Sequence, residues 1–339
     1  MSSLPSVSIV LPVLDARGMI EAAVETWLSQ TYEGDFSLMV LDGGSTDGTR
    51  EWLDEASAHT DRLDVRSNPQ RSVPHARNLA LHDVEMELIL EAHAAITVPE
   101  DHLEQRIADL LDLEAELGCH IGGIGTLVRP SHDPSIVQGW VETALRTPLG
   151  HSGGQFEPFT GREPTQVASF ILLRRDAVLE VNGWDPEFIT NQDSDLVLRL
   201  IEAGKPVWRS DVSHVRMAGR GSLRGLLAMA RRYGYWRMPL ARRDRRRLRV
   251  REFLPLLGVI MTLASFPIQP WIAAGLVLSY AGALGFMGLR SAWTSGEISY
   301  IFGVPICLIL LHVGFTYGLV GGIFRPGRAI SDRNVRNIG

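Results

Sequence analysis

The chain has 339 residues, 45% of them hydrophobic, and a formal net charge of -6, which suits one large domain or two smaller ones. Arginine supplies all but one of its 33 basic residues, and the lone Lys205 lies in "AGKPVW", so a Gly-Lys-Ser/Thr phosphate loop is excluded. Cys119 and Cys307 are too few and too far apart for a disulfide framework or a thiolate metal site, and no apolar core follows a basic start in the first 20 residues, so no secretory signal is expected.

In chain order, "SVSIVLPV", "FSLMVLD", "MELILE", "IGGIGTLV" and "QVASFILL" read as buried strands. Between and after them, "MIEAAVETWLSQ", "GTREWLDEA", "PHARNLALHD", "PEDHLEQRIADLLDLEAEL" and "SDLVLRLIEAG" read as helices. Strands alternating with helices predict an α/β domain with a largely parallel sheet covered on both faces. Residues 146–166, rich in Gly, Pro and Thr, read as a long surface loop of the kind that is usually functional.

The charge is unevenly distributed. Residues 231–251 hold ten arginines and one acid, about +9, which leaves about -15 for the rest. Just beyond, residues 253–289 and 298–324 run without a charge, each longer than the roughly 20 apolar residues needed to cross a bilayer. The first run is broken at "FPIQP" and fits two short spans, a re-entrant hairpin, or an interfacial helix plus one span. Two to three spans are expected over 253–325, after a juxtamembrane segment at 221–252 and before a basic tail at 326–339. The arginines place the preceding domain on the cytoplasmic side of a multi-pass membrane protein. Next to apolar spans, they are read as meeting anionic lipid head groups rather than nucleic acid.

"VLDGGSTDGT" (40–49) follows a strand and opens a helix. It does not fit G-x-G-x-x-G, which disfavours a dinucleotide dehydrogenase. Its small residues admit a ligand close to the backbone, although ordinary turns use the same residues. With "SIVLPVLD", "NPQRSVPHARNLAL", "LEAHA" and "NGWDPEFITNQDSDLVLRLIEAG", in that order, it resembles family 2 glycosyltransferases of the GT-A fold over roughly residues 6–240. "SLRGLLAMARRYGYWR" and the apolar C-terminus are similar to the membrane-bound branch that builds succinoglycan-type exopolysaccharides.

The resemblance implies a GT-A domain over residues 1–220 and a nucleotide site at Pro12, Asp15, Asp42, Arg71, Arg77 and Asn78. Arginine suits phosphate recognition because its planar fork binds two oxygens. In "LEAHA", Glu91 and His93 stand where the family has Asp-x-Asp. They are therefore expected to hold a divalent cation, Mn²⁺ or Mg²⁺, with His214 as a third ligand; imidazole favours a transition ion. The resemblance makes Asp193 in "NQDSD" the general base that would deprotonate an acceptor hydroxyl. Trp184, Asp195, Arg232 and Trp236 are candidates on the acceptor side. Asp195 also reads as a helix cap, and the "ARRYGYW" arginines also read as lipid contacts.

The function implied is inverting transfer of a sugar, from a donor expected to be UDP-linked, to a lipid-linked or polysaccharide acceptor at the membrane surface. Two alternatives stand beside it. One is transfer to a polyprenyl phosphate. The other is a catalytically weakened nucleotide-binding subunit of a polysaccharide assembly, suggested by Glu91, His93 and Ala16 where the family differs. A transporter is disfavoured because the apolar runs carry no charge.

Overall fold

The computed structural model describes residues 4–130, 132–150, 157–188, 190–217, 221–243 and 250–324. The chain divides into two compact units. One comprises residues 1–129 and 158–218; the other comprises residues 130–157 and 219–339. The segment 130–157, expected within the nucleotide domain, thus groups with the C-terminal helices.

The first unit opens with β1 (Val7–Val13), α1 (Arg17–Leu28), β2 (Phe36–Asp42), α2 (Thr49–Ser57), β3 (Leu63–Ser67), α3 (Val73–Asp83) and β4 (Leu88–Glu91). It continues through β5 (Ile96–Thr97), α4 (His102–Leu117) and β6 (Gly123–Arg129). The second unit interposes α5 (Ile136–Arg146) before the first resumes with β7 (Arg162–Pro164), β8 (Leu172–Arg174), α6 (Arg175–Glu180), α7 (Gln192–Glu202) and β9 (Val207–Met217). The remaining helices are α8 (Leu223–Arg243), α9 (Leu254–Ser265), α10 (Pro270–Ser295) and α11 (Tyr300–Phe324).

The strands form one sheet in the order β3-β2-β1-β4-β8-β6-β9-β5, with β7 on β9. β3, β2, β1 and β4 run parallel, and β8 joins antiparallel to both β4 and β6. The parallel half is the part with unbroken Val/Ile/Leu runs, as strands buried on both faces require. α3 starts where Ser72 accepts a hydrogen bond from the His75 amide and proline stands in the first turn.

Two expectations change. "QVASFILL" does not form an eight-residue strand, because Phe170 takes a positive φ of 49° and only Leu172–Arg174 enter the ladder. β9, the longest strand at 11 residues, is not foreseen from periodicity, since its polar residues alternate irregularly. Its pairing with β6 jumps from Thr126↔Ser210 to Leu127↔His214, a bulge holding Asp211, Val212 and Ser213.

In the second unit α9 has 12 residues, about 18 Å at helical rise and too short to span a hydrocarbon core. The chain breaks after it and restarts at Pro270. α10 and α11 are each long and apolar enough to cross a membrane. A core of Val141, Leu226, Leu284, Val304 and Cys307 joins α5, α8, α10 and α11. The basic tail at 326–339 lies outside the described residues.

Candidate active site

Two loops at the C-terminal ends of β1 and β2 are laced together by side chains. Asp42, buried, accepts from the Gly44 amide at 3.1 Å, the Ser45 amide at 3.1 Å and the Ser45 hydroxyl at 2.6 Å. Asp15, at φ 49°, accepts from the Thr46 amide at 2.8 Å, and its own amide donates to Ser45 Oγ at 2.9 Å. Asp47 accepts from the Arg17 amide at 2.9 Å and from Thr49 Oγ1 at 2.5 Å. The Thr49 hydroxyl bond, with the amide bonds of Arg17 and Thr49, holds the Asp47 carboxyl below its ordinary range against the opposing effect of desolvation.

The Asp42 carboxylate therefore shapes its own turn, at the place where the resemblance puts a nucleotide contact. Pro12 is half-buried at the end of β1, paired with Leu41. Arg71 is exposed and lies against Gly44, where φ is 80° and an added Cβ would stand 3.2 Å from the guanidinium. Among the six expected nucleotide contacts, Asp15 and Arg71 are the exposed ones.

Glu91 ends β4 at 2% exposure. Its Oε1 meets Arg77 Nη1 at 2.7 Å and accepts from the Trp184 indole N–H at 3.0 Å. Arg77 also lies 5.7 Å from the centre of the Trp184 ring. Asn78 clamps the same tryptophan, donating to its carbonyl at 2.7 Å and accepting from its amide at 2.8 Å. The preceding Gly183, at φ 69°, leaves no space for a Cβ beside Asn78. Burial pushes the Glu91 carboxyl up, Arg77 pulls it back, and Asp193 pushes it up further. Arg77, Asn78, Glu91 and Trp184 therefore form one buried cluster within electrostatic reach of Asp193.

This arrangement bears on the residues expected at the site. Arg77 and Asn78, expected to line a nucleotide pocket, have internal partners in Glu91 and Trp184. Trp184 is 0% exposed and has no ring face for a sugar. Glu91 is buried and engaged, so it is a poor ligand for an ion. His93 is exposed, and its Nδ1 accepts from the Ala95 amide at 3.1 Å. Among the described residues, no three His, Cys, Asp or Glu side chains are placed to hold a metal ion. Glu91, His93 and His214 do not fit the expected ligand set, because the carboxylate that would anchor it already neutralises Arg77.

Asp193 lies in the first turn of α7, half-buried, and accepts from the Ser194 amide at 2.8 Å. A helix N-terminus stabilises such a charge. Asp195, 1% exposed, pairs with Arg199 at 2.8 Å, which corrects its expected acceptor role to an internal ion pair. Arg232 and Trp236 lie on α8 in the second unit, Arg232 half-buried over Tyr233 and Trp236 buried edge-on to Tyr235. That burial leaves little of the Trp236 ring for the acceptor contact expected of it.

A second buried polar group is not marked in the sequence. His102 Nδ1 bonds Ser213 Oγ at 2.7 Å, Thr126 Oγ1 donates to the Ser213 carbonyl at 2.9 Å, and Arg106 donates to the Ile124 carbonyl at 2.5 Å. These contacts fix the β9 bulge that brings His214 back into register. Burial pulls the Arg106 guanidinium down to about 9, opposed by Asp109 and Glu91. The i, i+4 spacing of His102 and Arg106 is readable, but nothing in "HLEQR" marks that face as internal.

The family model for glycosyl transferase family 2 matches residues 8–181, just over half of the chain. The succinoglycan biosynthesis protein ExoA of Rhizobium meliloti is 26% identical over 85% of this chain and 92% of its own. A Methanococcus voltae dolichyl N-acetyl-alpha-D-glucosaminyl phosphate 3-beta-D-2,3-diacetamido-2,3-dideoxy-beta-D-glucuronosyltransferase is 20% identical, covering 94% of this chain and 97% of its own. The mannosyltransferase PcManGT from Pyrobaculum calidifontis, solved with GDP-Man and Mn²⁺, superposes with a TM-score of 0.59 at 19% identity, over 95% of this chain and 88% of its own. At that identity the superposition speaks for the GT-A fold alone. A mostly parallel sheet with laced loops at the ends of β1 and β2, matched by the family model from β1 through β8, makes this chain a member of glycosyl transferase family 2.

Proposed function

We propose that this family 2 glycosyltransferase moves a sugar from a nucleotide donor, read as UDP-linked, to a lipid-linked acceptor at the membrane surface, with inversion. The supporting observation is Asp193, whose half-buried carboxylate stands at the start of α7 beside the sealed Glu91–Arg77–Trp184 cluster. The acidic neighbour Glu91 is buried and paired, leaving Asp193 as the accessible base. It would take the proton from an acceptor hydroxyl as that oxygen attacks the anomeric carbon and the sugar–phosphate bond breaks. A single displacement by this route inverts the configuration.

The leaving diphosphate carries growing negative charge. The exposed Arg71 beside Gly44, with the amides of the neighbouring turn, suits that charge. The expected metal ligands do not fit, so no step is assigned to an ion. The dolichyl-linked substrate in the Methanococcus voltae relative's name and the two apolar helices support an acceptor confined to the bilayer, and the arginine bias favours a cytoplasmic catalytic unit.

The test is Asp193→Asn. Transfer is expected to fall by about 10²–10⁴ with UDP and GDP binding unchanged, each titrated with and without Mn²⁺. Product anomericity by NMR checks inversion. Retention of more than a tenth of the activity would remove Asp193 from the base role. An acceptor that is already a phosphate anion needs no base, so a polyprenyl-phosphate acceptor is favoured if Asp193→Asn spares that substrate alone.

A further inference from the structure

α5 has two faces. Val137, Val141, Ala144 and Leu145 pack into the core shared with α8, α10 and α11. Gly139, Glu142, Thr143 and Arg146 recur at three- and four-residue spacing, so they share one stripe of the helix. That stripe lines a cavity of about 240 Å³, which also takes in Tyr300, the first residue of α11, with His132 and Pro134 at its rim. All of these residues belong to the second unit.

The cavity is shaped by a missing side chain. The Tyr300 hydroxyl occupies the space beside Gly139 that a Cβ would need. Trp140 secures the same end by donating to Ser299 Oγ at 3.1 Å. Arg146 is half-buried in the last turn of α5. Burial pulls its guanidinium down, and Glu142, one turn earlier, pulls it back. Glu142 in turn accepts from Gln138 Nε2 at 3.3 Å. A guanidinium kept charged in such a place is a planar fork for two phosphate oxygens. The Thr143 and Tyr300 hydroxyls can donate to the same group. Glu142 repels an anion set against it and suits the hydroxyl or ammonium that neighbours the phosphate in a lipid head group.

Location selects the ligand. The 296–299 turn joins α10 and α11, both long and apolar enough to cross a membrane. With those helices in a bilayer, the turn between them lies at head-group level. Arg290, Trp293 and Glu297 are all exposed there, a mixture of charge and aromatic surface typical of the membrane–water boundary. Tyr300 directly follows that turn, so the cavity opens at the depth of lipid phosphates. Residues 146–166, which composition marks as a functional loop, start from its arginine.

We propose that this cavity binds the phosphate of a membrane lipid, with Arg146 as the fork and Thr143 and Tyr300 as hydroxyl donors. The site lies outside the nucleotide fold, and no step of sugar transfer is routed through it.

The test uses the full chain in neutral detergent, with lipid affinity read by native mass spectrometry. Phosphatidic acid and an isoprenyl phosphate are the probes, and diacylglycerol is the phosphate-free control. Arg146→Gln is expected to weaken both phosphate lipids about tenfold or more, the usual worth of a charged hydrogen bond, and to leave diacylglycerol unchanged. Arg146→Lys keeps the charge without the fork, and Tyr300→Phe keeps the ring over Gly139. Both are expected to weaken the phosphate lipids less, and they carry the test if Arg146→Gln lowers the yield of folded protein. The tighter of the two probes names the lipid. No binding to the wild type, or equal affinity in wild type and every cavity variant, overturns the proposal. So does an equal loss in Arg224→Gln, an exposed arginine of α8, since that marks diffuse attraction to the surface. Inorganic phosphate that displaces either lipid at equal concentration assigns the cavity to a soluble anion, which overturns it as well.

Discussion

The two units solve the same problem, close approach of backbones, by opposite chemistry. In the nucleotide fold, carboxylates and amides do the work. Asp42, Asp15 and Asp47 tie down loop N–H groups, and Asn78 holds both backbone groups of Trp184. In the helical unit, side chains are absent where contact is closest, as at Gly314, Gly318 and Gly322 against α8. A charged residue is informative in the first unit, and a missing side chain is informative in the second.

Glu91 separates the two chemistries most strongly. Removing it strands Arg77 in the interior, and Glu91→Ala is expected to destabilise the nucleotide fold by about 3–5 kcal/mol, the usual cost of breaking a buried pair. Glu91→Asp decides between roles. Shortening the side chain by one methylene withdraws it from Arg77 and Trp184, so both melting temperature and activity should fall. A metal ligand would instead tolerate or gain from aspartate, the residue the family carries there. Thermal melting and transfer rates with a Mn²⁺ titration distinguish the two.

In the helical unit the corresponding change adds atoms. Gly318→Leu drives a side chain into the Arg231 backbone, and overpacking costs about 1–3 kcal/mol or more. The melting midpoint in detergent should fall, while nucleotide affinity measured below that midpoint should change little. Equal loss of nucleotide binding would show that the two units do not respond separately.

The laced loops give the weakest response. The Asp47 carboxyl titrates lower in the folded chain than in the unfolded one, so the unfolded state binds the proton more readily. Its contribution to stability is therefore present above the ordinary aspartate range and lost as pH falls through the folded value. Asp47→Asn should lower the melting temperature slightly at neutral pH and above and so flatten the acid limb, the two profiles converging as pH falls through the folded value. An unaltered acid limb would remove Asp47 from the loop's pH response.

Sequence periodicity located β1, β2, β4 and β6 and the helices around them, because strands buried on both faces must be apolar without interruption. It also located the apolar C-terminal helices and the ordered motifs that mark the family. It failed at β9, whose bulge interrupts alternation, and at α5, whose partner α11 lies more than 150 residues later in the chain.

The motif residues themselves were visible, while their surroundings were not. Glu91 looked like half of an Asp-x-Asp pair, and only the fold brings Arg77 and Trp184 to its carboxylate. Trp184 looked like an acceptor-side contact, and only the fold buries it. Hydropathy set which segments are long and apolar enough to cross a membrane, because it depends on local composition alone. Whether a carboxylate is free to bind a ligand depends on neighbours distant in the chain, and tertiary packing alone supplies those.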